Sequence, residues 1–353
     1  MSKEVIFVNS SLTQGGSEKA MSLIANYCVE NGIKTHMLLL RNEERTYSIN
    51  PNVDCIQFKY KYDNKFYKLV KRIIMMRKIF KNTKAKTIVS FMDDINMVTI
   101  IASLGLRKKV IISERAFPLV GRSKLSKAME KILYPMADII VFQTDMAKKC
   151  YSNEIQKKGI VIPNAINNNL PKRNKDNIEK NIIAAGRFVR QKNFEMLIRA
   201  FSKINKIYPE YNLIIYGQGG LLSEYKKLVK ELEIEKKVFF PGYISNVNEK
   251  MASSEIYVSC SNYEGISNSM LEALAIGIPT ISTDCPVGGA ALAIENNVNG
   301  ILISVEDEEA LYNSINKIIA DKGFASRISL EAMKIKERFS LNKIGDRWIE
   351  LLE

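Results

Sequence analysis

Short apolar runs rich in β-branched residues alternate with stretches of helical spacing along the whole chain. In the first half the runs fall at 4–10 (EVIFVNS), 34–40, 87–93, 109–114, 138–144 and 159–164. A second series falls at 181–187 (NIIAAGR), 212–219, 238–243, 255–261, 278–284 and 300–304. The runs are mostly apolar on successive residues, the mark of strands buried on both faces. With helices between them they predict parallel sheets covered by helices on both sides. Two series predict two doubly wound α/β domains. The segment 167–180 (NNNLPKRNKDNIEK) is polar, lacks apolar periodicity and reads as a linker. The expected organisation is a first domain over 1–166, a second over 181–335, and a closing helix over 336–353 that carries the single tryptophan, Trp348. Ligands of such sheets lie at the carboxyl ends of the strands, which places the expected site in a cleft between the halves.

Length agrees with two domains: 353 residues, 46% hydrophobic and 25% charged, an ordinary globular mixture. No apolar run approaches the ~18–20 residues of a spanning helix, and the opening apolar stretch is too short for a secretory leader. The five cysteines, Cys28, Cys55, Cys150, Cys260 and Cys285, are widely spaced and never in a C-x-x-C, which predicts free thiols in a reducing cytosol. The one histidine, His36, excludes multi-histidine metal sites and reads as a structural strand residue. The net charge of +14 is confined to one half: residues 1–165 hold 28 Lys+Arg against 14 Asp+Glu. Such asymmetry predicts an anionic partner for that half.

Three segments carry candidate chemistry. After the first strand, Gly15 and Gly16 precede a helix whose free N–H groups and dipole suit a phosphate. The spacing is neither G-x-G-x-x-G nor a Walker loop. In the second half, Arg187 and Lys192 follow the first strand, where a fork and a point charge can clamp a diphosphate. The segment Tyr263 to Thr280 places Glu264 in a loop and Glu272 in the helix after it. Ser267, Asn268 and Ser269 form a second anion cradle between them.

With these residues in view, the chain resembles the retaining nucleotide-sugar glycosyltransferases of family 4, which have the GT-B fold. The resemblance rests on Gly15-Gly16, Gly186-Arg187…Lys192, Gly217-Gln218-Gly219, Pro241-Gly242-Tyr243 and, above all, Glu264-x7-Glu272 followed by Ala-x-x-x-Gly-x-Pro. The run Ser282-Thr283-Asp284-Cys285-Pro286 is similar to members that build surface polysaccharides and lipid-linked oligosaccharides. The resemblance implies two Rossmann-like domains facing a cleft, with the last helix packing back on the first. It implies Glu264, Arg187 and Lys192 as catalytic residues, the cations holding the donor diphosphate. On the donor side it implies Gly15, Gly16, Gly217, Tyr243, Ile244, Ile266, Ser267, Asn268, Ser269 and Glu272, with Glu272 on the ribose and Ile244 at the base. Asp93 and Arg115 become acceptor-side candidates. Many relatives have histidine where this chain has Arg115, so no protein base is expected there. The departing phosphate then accepts the acceptor proton, and catalysis is positioning plus charge stabilisation. No Asp-x-Asp motif is present, and neither metal nor cofactor is expected.

The stretch 59–86 carries 11 Lys+Arg among aromatic and aliphatic residues. From about residue 66 it fits a basic amphipathic helix suited to anionic lipid, with Lys68, Lys71, Arg72 and Lys78 as contacts. The expected function is transfer of a hexose or N-acetylhexosamine from a UDP-sugar to a polyprenyl-diphosphate-linked or surface-polysaccharide glycan. The expected location is cytoplasmic, peripheral to the inner face of the cell membrane, with no nucleic-acid partner. The rivals are a basic nucleic-acid- or membrane-binding protein without transferase activity, and an epimerase or phosphorylase on the same architecture.

Overall fold

The structure is a computed structural model that describes residues 3–13, 15–43, 45–58, 65–115, 123–173 and 177–352. The chain divides into two compact units, Met1–Ala165 with Leu341–Glu353, and Ile166–Ser340.

The first unit runs β1 (Glu4–Asn9), α1 (Gly16–Glu30), β2 (Lys34–Leu39), β3 (Asp54–Gln57), α2 (Lys65–Asn82), β4 (Thr87–Phe91), α3 (Asp93–Ser103), β5 (Lys109–Ser113), α4 (Lys124–Leu133), β6 (Ile139–Phe142), α5 (Asp145–Lys149), α6 (Asn153–Lys157) and β7 (Gly159–Val161). The second runs β8 (Glu179–Ala185), α7 (Phe194–Ile207), β9 (Asn212–Tyr216), α8 (Leu222–Glu231), β10 (Val238–Gly242), α9 (Val247–Ala252), β11 (Ser254–Ser259), α10 (Asn268–Ile276), β12 (Thr280–Thr283), α11 (Gly289–Ala293), β13 (Ile301–Ile303), α12 (Glu308–Ala320), α13 (Lys322–Ala332) and α14 (Lys336–Phe339). The chain then re-enters the first unit as α15 (Leu341–Leu351).

Both sheets are wholly parallel. The first has the order β3-β2-β1-β4-β5-β6-β7, the second β10-β9-β8-β11-β12-β13. The strand order reverses between β1 and β4 in one sheet and between β8 and β11 in the other. At such a reversal the loops leaving adjacent strands diverge to opposite faces and open a crevice for ligands. Each sheet is buried by helices on both faces. Val5, Phe7, Val89 and Ile111 pack with α1 and Trp348 of α15, while Ile6, Val8, Ile88 and Leu38 pack with α2 and α3.

Several details differ from the sequence expectations. The short strand β3 has no counterpart among them; it is an edge strand of four half-buried or exposed residues and lacks an apolar run. The segment 167–180 is not a free linker. The second unit begins at Ile166, whose N–H bonds Phe339 O at 2.8 Å. Within the segment, half-buried Arg173 donates to Gly277 O at 2.9 Å and Glu255 O at 3.3 Å. Arg173 is thus anchored on backbone carbonyls, and burial lowers its guanidinium's pKa to about 10. The closing helix breaks at Ser340: α14 stays with the second unit and α15 belongs to the first.

His36 sits near the amino-terminal end of β2, with Nδ1 2.9 Å from Asp54 and Nε2 3.0 Å from Glu4. It lies away from the carboxyl ends of the strands, where ligands of such sheets bind. All five cysteines are free. Among the described residues no helix is long and apolar enough to cross a membrane.

Candidate active site

The reversal in the second sheet gathers the residues singled out in that half. β8 ends in the loop bearing Arg187 and Lys192, and β11 ends in the loop bearing Glu264. Because β8 and β11 are hydrogen-bonded neighbours, these loops meet although 72 residues separate them. Lys192 Nζ lies 2.7 and 2.6 Å from the two carboxylate oxygens of Glu264. The side chains of Lys192 and Glu264 are 13% and 21% exposed, which is enough enclosure for the pair to resist screening by salt. Ser261 Oγ also donates to Glu264, at 2.8 Å. Arg187, by contrast, is exposed at the end of β8.

The loops are tied together by Gln191 and Asn193, which no sequence motif marks. Gln191 Nε2 donates to Tyr263 O at 2.8 Å, and Asn193 Nδ2 to Asn262 Oδ1 at 2.9 Å. Asn193 has φ 45°, a conformation that asparagine tolerates, and its side chain caps α7. Thr283 Oγ1 donates to Ser261 O at 2.6 Å. Two polar residues around a lysine after a strand are the only sequence signal for this latch. Cys260 and Cys285 belong to the same surroundings, and burial pushes their thiols up to about 12 and about 11. Both stay protonated near neutrality and offer no thiolate nucleophile.

Glycines allow the loops to close. A methyl group built on Gly217, at φ 141°, would lie 1.8 Å from Gly186 O. One on Gly289, at the start of α11, would lie 1.7 Å from Gly265 O. Gly289, paired with Gly288 in the sequence, lies outside the motifs above. Gly217→Ala is expected to destabilise the second unit by about 2 kcal/mol or more, read as a lower unfolding midpoint in urea. A midpoint within error of wild type would contradict the close approach.

Beyond Glu264, Ser267 caps α10 by accepting from Met270 N at 3.4 Å, and its hydroxyl is 3.2 Å from that of Ser269. Tyr257 donates to Ser269 at 2.8 Å. Ile266 and Ser267 are buried, while Asn268 and Ser269 are half-buried. Glu272 lies in the second turn of α10 and is 2% exposed. Tyr243 and Ile244 follow β10 at the same end of the sheet and are half-buried.

The first unit places its candidates differently. Gly15 caps α1, and Gly16 is its first residue. The Glu18 carboxylate lies against Gly15, where a methyl group would meet Oε2 at 1.8 Å, and Glu18 is 9% exposed. Ser17 Oγ donates to that carboxylate at 2.6 Å, and an acidic side chain in the first turn complements the helix dipole. Asp93 opens α3 at the reversal between β1 and β4, directly after Met92, which has φ 80°. Arg115 follows β5. Its guanidinium carbon lies 4.3 Å from the Phe91 ring centre and 5.5 Å from that of Trp348, and Nη1 donates to Asn164 at 2.7 Å. Burial lowers its pKa to about 9. These contacts make Arg115 a packing element of the first unit, tied to α15, in addition to an acceptor-side candidate.

Residues 165–335 match the family model described as Glycosyl transferases group 1. The chain is a glycosyltransferase, with a group 1 domain as its second unit. The matched residues span the sheet, the Lys192–Glu264 pair and α10. Two relatives from Campylobacter jejuni match nearly end to end. One is the α-1,4-N-acetyl-D-galactosaminyltransferase of GalNAc-α-(1→4)-GalNAc-α-(1→3)-diNAcBac-PP-undecaprenol, 25% identical over 99% of this chain and 98% of its own. The other, 27% identical over 98% of both chains, is named N-acetylgalactosamine-N,N'-diacetylbacillosaminyl-diphospho-undecaprenol 4-alpha-N-acetylgalactosaminyltransferase. Among solved structures, Anabaena HepE in complex with UDP and glucose superposes with a TM-score of 0.85, at 18% identity over 99% of each chain. The glycosyltransferase thus has the GT-B type of fold, two Rossmann-like units with parallel sheets.

Proposed function

We propose that this glycosyltransferase moves a hexose or N-acetylhexosamine from a UDP-sugar to a glycan carried on a polyprenyl diphosphate, with retention at the anomeric carbon. The observation that carries the donor half is the Lys192–Glu264 pair at the strand reversal of the second sheet. A cation held there by a carboxylate is placed to stabilise charge on a departing diphosphate, with Arg187 beside it on the same loop. Glu264 keeps the ammonium in place before the donor arrives. The carboxylate of Glu272, on a capped helix, suits the two ribose hydroxyls, and Ser267, Asn268 and Ser269 supply donors for phosphate. UDP in the HepE complex and the undecaprenol-linked substrates named for the two relatives support the same reading.

The acceptor proton goes to the departing phosphate, so the mechanism needs no protein base and no metal. Turnover should therefore survive EDTA, and a loss restored by a divalent ion would overturn that part. The donor test is a thermal-shift screen across nucleoside diphosphates, because a ligand of the folded state raises apparent stability by mass action. UDP should raise the midpoint more than GDP or ADP. Calorimetry then separates the two glutamates. Glu272→Ala should weaken UDP binding by about tenfold or more, the scale of one lost charged hydrogen-bond pair, while Glu264→Gln mainly lowers turnover. The reverse pattern would exchange their roles.

We further propose that the first unit binds an anionic membrane surface, where such an acceptor resides. The helix expected from the sequence forms as α2, though residues 59–64 of the basic stretch lie outside the described residues. Lys68, Lys71 and Arg72 are half-buried. The outer cations of the helix are Arg77, Lys78 and Lys81. Of the four residues expected at the surface, only Lys78 is exposed.

A further inference from the structure

Helix α4 leaves an apolar stripe uncovered. Leu125 is 71% exposed, Met129 37% and Ile132 64%, and Met136 in the following turn is 51% exposed. Spacings of four, three and four residues put these side chains on one face of a helix. Lys124, Lys127 and Lys131 are exposed on the same helix, whereas its one carboxylate, Glu130, is buried. From Ser123 to Met136 the exposed surface is therefore apolar and cationic, with no exposed acid.

The stripe has a neighbour of the same chemistry. Both α2 and α4 pack against α3, on the face of the first sheet that carries Ile88 and Ile112. On α2, Phe66 is 75% exposed and Ile74 61%, and the sequence holds no Asp or Glu from Lys65 to Met92.

We propose that α4 lies in the interface of an anionic bilayer, with Leu125, Met129, Ile132 and Met136 below the headgroups and its lysines at the level of the lipid phosphates. The proposal rests on the membrane-acceptor reading above and assigns it an inserting element. Charge selects the occupant. A second copy of this chain would bring its own +14 half against these lysines, and like charges oppose that contact. An anionic lipid surface attracts the lysines and accepts the apolar stripe at once. Electrostatic attraction alone would be abolished by salt; insertion of four apolar side chains leaves binding that salt does not remove.

The test uses the full chain and vesicles of phosphatidylglycerol or phosphatidylcholine. The triple variant L125Q/M129Q/I132Q should partition onto phosphatidylglycerol vesicles at least about tenfold more weakly, in line with the apolar area removed. Its thermal midpoint and UDP affinity should match wild type, because the side chains are exposed and the donor candidates lie in the other unit. In a second variant, Leu125→Trp, emission should shift to the blue on adding phosphatidylglycerol vesicles. Trp348, 1% exposed, supplies a constant background. Equal partition of triple variant and wild type overturns the proposal, as does co-sedimentation without any shift in Leu125→Trp. Concentration-dependent dimerisation without vesicles, abolished in the triple variant, overturns it in favour of a second copy. Vesicle binding through α4 in a chain that binds no UDP would leave this proposal standing and remove the donor reading instead.

Discussion

Lys192→Ala is expected to lower turnover by on the order of 10²- to 10³-fold, the usual loss when one preorganised charge is removed from a developing anion. The ammonium is placed by two carboxylate contacts within 2.7 Å, and its loop is tied down by the Gln191 and Asn193 latch. Glu264→Gln should also fall steeply, because an amide no longer holds the ammonium in the same way. The double variant should lose little more than the worse single variant, since residues acting as a unit are not additive. Arg187→Ala should cost about 10²-fold in turnover but little in stability, because Arg187 is exposed. Lys203→Ala, at an exposed ion pair with Glu308 and Glu309, serves as the control and should be near wild type. Steady-state kinetics with the donor found by the thermal-shift screen decides the matter. Near-normal turnover in folded Lys192→Ala would remove the pair from the mechanism.

Trp348→Ala is expected to destabilise the first unit by about 3–5 kcal/mol, the range for deleting a large buried aromatic. Trp348 is 1% exposed and lies 5.4 Å, centre to centre, from Phe91. It also forms one side of the site that holds the Arg115 guanidinium. Its loss would open a cavity and loosen a charged group whose Nε is already buried without a hydrogen-bond partner among the described residues. Trp348→Phe should recover most of the loss by refilling part of the volume. Urea unfolding followed by circular dichroism measures the effect, and UDP affinity should be unchanged because the second unit has its own core. A loss below about 1 kcal/mol, the size of an ordinary surface change, would mean that α15 is not integral to the first unit.

The strands of both sheets were legible because parallel strands covered on both faces need unbroken apolar runs. Runs such as NIIAAGR and KVIISE carry that signal with no help from their partners. β3 was not legible, because an edge strand of four residues buries too little to impose a pattern. The basic character of α2 is plain in the sequence, but the helix rotation about its axis decides which cations are exposed: it buries Met76 and Phe80 and leaves Lys68, Lys71 and Arg72 half-buried. Arg173 reads in sequence as one more linker cation, and only its carbonyl partners reveal it as an anchor.

The sequence by itself determined two doubly wound units, the loop position of Glu264, the helical position of Glu272 and the cap at Ser267. These follow from local periodicity, turn chemistry and capping, which act within a few residues. The tertiary structure alone decided that Lys192 meets Glu264 and that the Glu18 carboxylate lies against Gly15. It also decided that Arg115 stacks on Phe91 and Trp348, and that the apolar side of α4 faces outward. The Lys192 and Arg115 contacts join residues far apart in sequence, brought together by strand order or by the return of the last helix. The Glu18 contact and the outward face of α4 depend on side-chain direction and on what packs nearby, neither of which a one-dimensional pattern encodes.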